Sequence, residues 1–232
     1  MRLSRLSSPR FAGGILLLLA GLITTALAGP PLLCHPLDIG NARSLPWTDV
    51  RNLSGNSDYN TKNLVQDTLS ILDSGAPVIV RMETLRRATL YARKDSQAAR
   101  ELLARLYKRT SAGDAVGNPD ALAWFDAGYL VEAYRQIFPK DQNPAAGIDG
   151  YSLVTKALAL RERSDPQMQF AAALMTLRGP EKEHQEHAQK AIAGAKEDPL
   201  LARNLASRFL GDEKVTVSDA LVRTIAQGGA GK

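Results

Sequence analysis

Residues 118–138 read NPDALAWFDAGYLVEAYRQIF, and the fold class turns on them. Leu122, Trp124, Phe125, Ala127, Gly128, Leu130, Val131, Tyr134 and Ile137 leave almost no polar face, so a helix here must be covered on most of its sides. Asn118 ahead of Pro119 marks its start: a capping side chain precedes a proline at the first helical position, where the missing N–H costs nothing. Asp165-Pro166 and Asp198-Pro199 repeat that punctuation, and Met168 to Leu177 reads as a second core helix.

Working outward, Leu64, Val65, Thr68, Leu69 and Leu72 make one apolar stripe of a short helix. Pro77 opens the next, lined by Val78, Met82, Leu85, Ala88 and Ala92 and running to about Arg93. Asp95 or Ser96 caps a third, with Ala99, Leu102, Leu103 and Leu106 on its inner face, which gives a helical hairpin. Tyr151 to Leu160, Glu183 to Ala195 and Leu201 to Leu210 are more amphipathic and are expected in an outer layer. Lys214 to Val217 reads as extended, before a last helix capped by Ser218 and ended at Gly228-Gly229. The expected class is all-α, with stacked antiparallel helical hairpins over residues 63–228 and a tail at 229–232.

Pro166 to Pro199 spans 33 residues and two helices, close to the tetratricopeptide period of about 34. Trp124, Ala127, Gly128 and Val131 resemble the first helix of that repeat, and Lys156-Ala157-Leu158 resembles the end of its second. The pattern departs where Pro119 to Pro166 takes 47 residues, with an inserted loop carrying Pro139, Pro144 and Gly147. Ala172 or Ala173 also stands where the family favours glycine. The resemblance implies a stack of helical hairpins that binds proteins or peptides.

Ahead of the helices, residues 1–28 read as a signal peptide: Arg2, Arg5 and Arg10 precede an apolar run from Phe11 to Ala28 that ends Ala26-Leu27-Ala28. An uncleaved anchor is the alternative, since that run is near the minimum for crossing a membrane. Lipidation at Cys34 is disfavoured by Leu32-Leu33 before it. Residues 29–62, rich in Pro, Gly, Asn and Ser, form an extended arm or linker; Trp47, Leu45 and Leu53 would anchor it if it lies on the helical body. The stretch Leu33 to Gly40 also resembles the opening of uncharacterised exported bacterial proteins, a likeness that implies no activity. One cysteine permits no internal disulfide, so stability must come from apolar burial.

The net charge of +5 loses three arginines with the leader and then predicts little about partners. Charge is concentrated between Arg81 and Arg109, where nine basic residues stand against three acidic ones. Arg86, Arg87, Arg93 and Arg100 are the candidate partner-binding residues, toward an acidic protein surface or an anionic envelope polymer, although the polar side of two amphipathic helices would look the same. Asp126 and Glu132 need partners such as Arg135, or a role, because their helix is otherwise apolar; a structural ion pair is the preferred reading. His184 and His187 share a helical face with Glu181 and Glu183, but no matching metal motif exists elsewhere, and a solvated face is the expectation. No nucleophile elbow, P-loop, dinucleotide fingerprint or nucleic-acid module occurs, so neither cofactor, metal nor nucleic acid is expected.

The sequence thus points to an exported, extracytoplasmic, non-catalytic helical-repeat module that binds a protein or peptide partner in the cell envelope. An envelope hydrolase acting on glycan through helix-borne carboxylates and a membrane-anchored structural protein are the alternatives.

Overall fold

The computed structural model describes residues 31–48 and 53–209. The leader, the extended piece at 214–217, the last helix and the 229–232 tail lie outside the described residues. Among the described residues the chain is all-α, with a 3₁₀ turn at Thr61–Asn63 and eight α-helices. These are α1 (Leu64–Asp73), α2 (Val78–Ala92), α3 (Ser96–Ala115), α4 (Ala121–Ile137), α5 (Gly150–Leu160), α6 (Pro166–Thr176), α7 (Glu181–Gly194) and α8 (Pro199–Phe209).

Aspartates set most of the helix starts. Asp95, Asp120, Asp149 and Asp165 each accept backbone N–H bonds from the first turn of the helix that follows, and Asp198 accepts from Leu201 N–H. Each such cap contributes about 1 kcal/mol. Pro166 stands in the first turn of α6 as expected. At α4 the expected start is corrected: Asp120, not Asn118, is the cap, and Pro119 lies before the helix. The residue after Pro119 is free to adopt the extended cap conformation, and Asp120 does so with φ −87° and ψ 109°.

Two pairs of successive helices, α4 with α5 and α6 with α7, pack as antiparallel hairpins. The late part of α4, at Glu132, meets the start of α5 at Gly150. Across the second hairpin, Pro166 at the start of α6 touches Gly194 at the end of α7. Gly128 is what lets α4 and α5 approach so closely. A Cβ there would stand 2.6 Å from the Gly150 carbonyl oxygen and 2.9 Å from both Leu153 Cβ and Val154 Cγ2. Glycine inside a helix costs about 1 kcal/mol relative to alanine, so it is retained here for packing. Gly128→Ala should therefore destabilise the protein, by about 1–3 kcal/mol as overpacking does, because the clash is with backbone. Urea unfolding at equilibrium measures this.

The N-terminal ends of α2, α6 and α8 come together. Gln167 shows it: its carbonyl accepts the Ile79 N–H at the start of α2 (2.9 Å), and its amide donates to the Asp198 carboxylate at the start of α8 (2.5 Å). One side chain thus joins the N-terminal ends of α2, α6 and α8. Phe125, Leu130, Phe170, Leu85 and Leu102 fill the common interior, each essentially inaccessible to water. Trp124 departs from expectation by staying only partly buried, with the Lys156 ammonium 3.4 Å above its ring. It borders the core from outside.

Two sequence expectations are corrected by burial. In α2 every residue but Arg87 is buried, arginines included, because the helix is enclosed by α1, α3, α4 and the N-terminal arm. His184 and His187 face inward, at 1% and 8% exposure, where a solvated face was expected.

Candidate functional site

Residues 31–48, an irregular segment with turns at 31–33 and at Gly40, lie across α2, α4 and α8. Leu32, Leu33, Leu37 and Leu45 are buried, so the arm is laid over the helical body. The helices grip it chiefly through its main chain. Gln136 of α4 accepts the Leu32 N–H at 2.9 Å, and Glu83 of α2 accepts the Leu37 N–H at 2.9 Å. Arg86 donates to the Leu33 carbonyl at 2.9 Å and Arg87 to the Leu45 carbonyl at 2.6 Å. Tyr91 donates to the Pro46 carbonyl at 2.6 Å. From α8, Asn204 holds both main-chain groups of Asp38, accepting its N–H at 2.9 Å and donating to its carbonyl at 2.8 Å. Arg208 donates to the His35 carbonyl at 2.9 Å, and Arg203 pairs with the Asp38 carboxylate at 2.6 Å.

The electrostatics of α2 explain why a polypeptide must lie there. Glu83 is wholly buried and binds two guanidinium groups, Arg86 through Nε (2.7 Å) and Nη2 (3.0 Å), and Arg87 through Nε (2.7 Å). Two buried or nearly buried cations therefore share one carboxylate. The remaining positive charge is met by dipoles of the arm: the Leu33 and Leu45 carbonyls and the face of Trp47, whose ring centre lies 5.2 Å from Arg86 Cζ and 5.9 Å from Arg87 Cζ. Tyr91 meets the same ring edge-on at 5.5 Å. The helical wheel places these groups on one side of α2, with Arg81 on the other.

The four candidate arginines therefore separate into two pairs. Arg86 and Arg87 do hold a polypeptide, but it is the chain's own arm, and Arg86 is not open to solvent at all. Arg93 and Arg100 are exposed at the α2–α3 turn and on α3. The basic concentration seen in the sequence thus divides: Arg81 and Arg86 are buried, Arg87 and Arg109 half-buried, and the other five residues are exposed. Arg81 pairs with Asp126, Arg86 and Arg87 with Glu83, and Arg109 with Asp73.

Both carboxylates of α4 are sealed from solvent. Glu132 pairs with Arg135 and faces the backbone N–H groups of Gly150 and Tyr151 at the start of α5; burial nevertheless raises its pKa. Asp126 lies 3.4 Å from Arg81 Nε, and burial pushes it up to about 7 against the pull of Arg81 and Arg109. Neither reaches a surface where a glycan could meet it. Of the two histidines, His184 sets Nδ1 2.9 Å from the Ala173 carbonyl, and His187 lies between Tyr151 and Gln169. Cys34 is half-buried between the gripped residues Leu33 and His35.

Residues 31–48 are thus held, largely through their main chain, against α2, α4 and α8 of an all-α body. No protein-family model, curated protein or solved structure matches the chain. Among the described residues no helix is long and apolar enough to cross a membrane.

Proposed function

We propose that this protein is a non-catalytic, tetratricopeptide-like module of the cell envelope that binds an extended polypeptide segment of a partner across α2, α4 and α8. The observation that carries the reading is the grip on residues 32–46, in which side chains from three helices hold main-chain groups and apolar sockets take leucines. Main-chain contacts do not depend on the sequence of the bound segment, so any extended segment that supplies carbonyls to Arg86 and Arg87 and leucine-like side chains to the sockets meets the same requirements. The arm is the resident segment, and a partner competes with it. The tight α4/α5 and α6/α7 hairpins support the repeat reading. Export rests on the 1–28 leader, and the sealed carboxyl groups of Asp126 and Glu132 give the glycan-hydrolase alternative no support.

Competition makes variants of the arm and variants of the helices that hold it behave differently. Leu45→Ala weakens the arm alone, so capture of partner from envelope extract should rise. Asn204→Leu removes two hydrogen bonds from whichever segment is seated, arm or partner, at about 1 kcal/mol each, so the two losses offset and capture should stay within about threefold of wild type. An Arg93→Glu/Arg100→Glu variant should bind as wild type does. Loss of capture only in the outer arginine variant, or the same response to Leu45→Ala and Asn204→Leu, would overturn the assignment.

A further inference from the structure

A separate polar chain joins α5, α6 and α7. The Tyr151 hydroxyl lies 2.8 Å from Glu183 Oε1 and 2.7 Å from His187 Nε2. On the other side of the ring, His187 Nδ1 lies 2.6 Å from Gln169 Oε1. The orientation of the Gln169 amide is fixed from beyond, because its Nε2 donates at 3.0 Å to the carbonyl of Arg163. Turning the amide over would set two oxygens against each other at that distance. Arg163 is itself held in the left-handed region at φ 58°, in the turn that leads from α5 to α6.

Each of the three contacts needs one hydrogen, and Gln169 Oε1 and an ionised Glu183 can only accept. A neutral imidazole and a phenol bring two hydrogens between them. One contact is therefore empty unless the group takes up another proton. Two arrangements complete it. Either the imidazole carries both protons and Tyr151 donates to Glu183, or Glu183 is protonated and donates to Tyr151, which donates to His187. Both have the same total charge.

We propose that Glu183, Tyr151, His187 and Gln169 form a binding site for a single proton, whose occupancy sets how firmly the α6/α7 hairpin is held to α5. The other charged groups facing the site are Lys190 and Glu186 on α7, Arg163 in the α5–α6 turn and Asp149 at the cap of α5. Burial and Lys190 push the imidazole of His187 below its usual value, while Glu183 and Glu186 pull the other way. The proton accordingly belongs to the group and not to one residue. Protonated, all three contacts close; deprotonated, one of the three lacks its hydrogen and opens.

Nuclear magnetic resonance of the full chain, with nitrogen-labelled histidine and carboxyl-labelled glutamate, tests this from about pH 8 down to about pH 5. One proton should be taken up, reported by the His187 ring or the Glu183 carboxyl. In Gln169→Met the acceptor that demands the third hydrogen is gone, so the midpoint should fall by about one pH unit or more, a tenfold loss of proton affinity. Tyr151→Phe keeps the ring packing and should produce the same fall, which covers the case in which Gln169→Met does not fold. A singly protonated His187 beside an ionised Glu183 across the whole range would overturn the proposal. So would equal midpoints in wild type and the folded variants.

Discussion

Glu83→Ala is expected to cost about 3–5 kcal/mol, the range for breaking a buried ion pair from one side. Among the described residues Glu83 is the only carboxylate bound to Arg86, which has no exposure, and it also neutralises Arg87 and accepts the Leu37 N–H. Without it, two cations remain under the arm with only carbonyls and an aromatic ring to solvate them. The loss divides between global stability and release of the arm, and the two are separable. Chemical denaturation reports the first; cleavage by a low concentration of protease between residues 31 and 48 reports the second, and it should accelerate well before the helices unfold. A double variant, Glu83→Leu/Arg86→Met, should recover much of the stability, because replacing the pair with apolar groups removes the stranded charge. An arm as protected in Glu83→Ala as in wild type would show that the leucine sockets alone hold it.

That arrangement also shows why the sequence conveyed the helices better than the site. Periodicity needs only a repeated contrast between apolar and polar positions, and Ala99, Leu102, Leu103 and Leu106 supply it for α3 without ambiguity. In α2 the contrast misleads. Glu83, Arg86 and Arg87 occupy positions that resemble a solvent face, yet that face is covered by a segment 42 to 53 residues away in sequence. A signal was present: Glu83 precedes arginines at i+3 and i+4, an arrangement that holds two cations on one acid. Its covering by residues 31–48 depends on tertiary placement that no local pattern encodes. The histidines of α7, expected on a solvated face, carried a simpler signal that their charged neighbours outweighed. His184 is in phase with Ala188, Ala191 and Ala195, the stripe that marks the buried face, and their burial follows from it. Trp124 misleads for the opposite reason, since its hydrophobicity outweighs the fact that a large ring fits well at a rim beside Lys156.

On the other side of α2 the expected effect is a change of stability with pH. Asp126 is enclosed, with Arg81 Nε at 3.4 Å and neither carboxyl oxygen hydrogen-bonded; Arg81 spends its closest donor, at 2.6 Å, on the Leu72 carbonyl. Desolvation therefore outweighs the pull of the cation and lifts the folded-state value to about 7 from an ordinary 3.8. The sign follows directly. Between those two values the folded protein holds a proton that the unfolded chain has released, so raising the pH favours unfolding, by up to about 1.4 kcal/mol per pH unit, and the slope disappears above the upper value. Asp126→Asn removes the titration and keeps the shape. Its stability relative to wild type should rise with pH through that window and level off near neutrality, whatever the constant offset from altered hydrogen bonding. Arg81→Met acts in the opposite direction: with the cation gone the carboxyl group binds its proton more tightly, and the decline in stability should continue to higher pH. Urea unfolding of the three proteins at about one-unit pH intervals measures both effects. Parallel stability curves for wild type and Asp126→Asn would mean that water or local opening solvates Asp126 in the folded state, and the sealed packing of α2 against α4 would need revision.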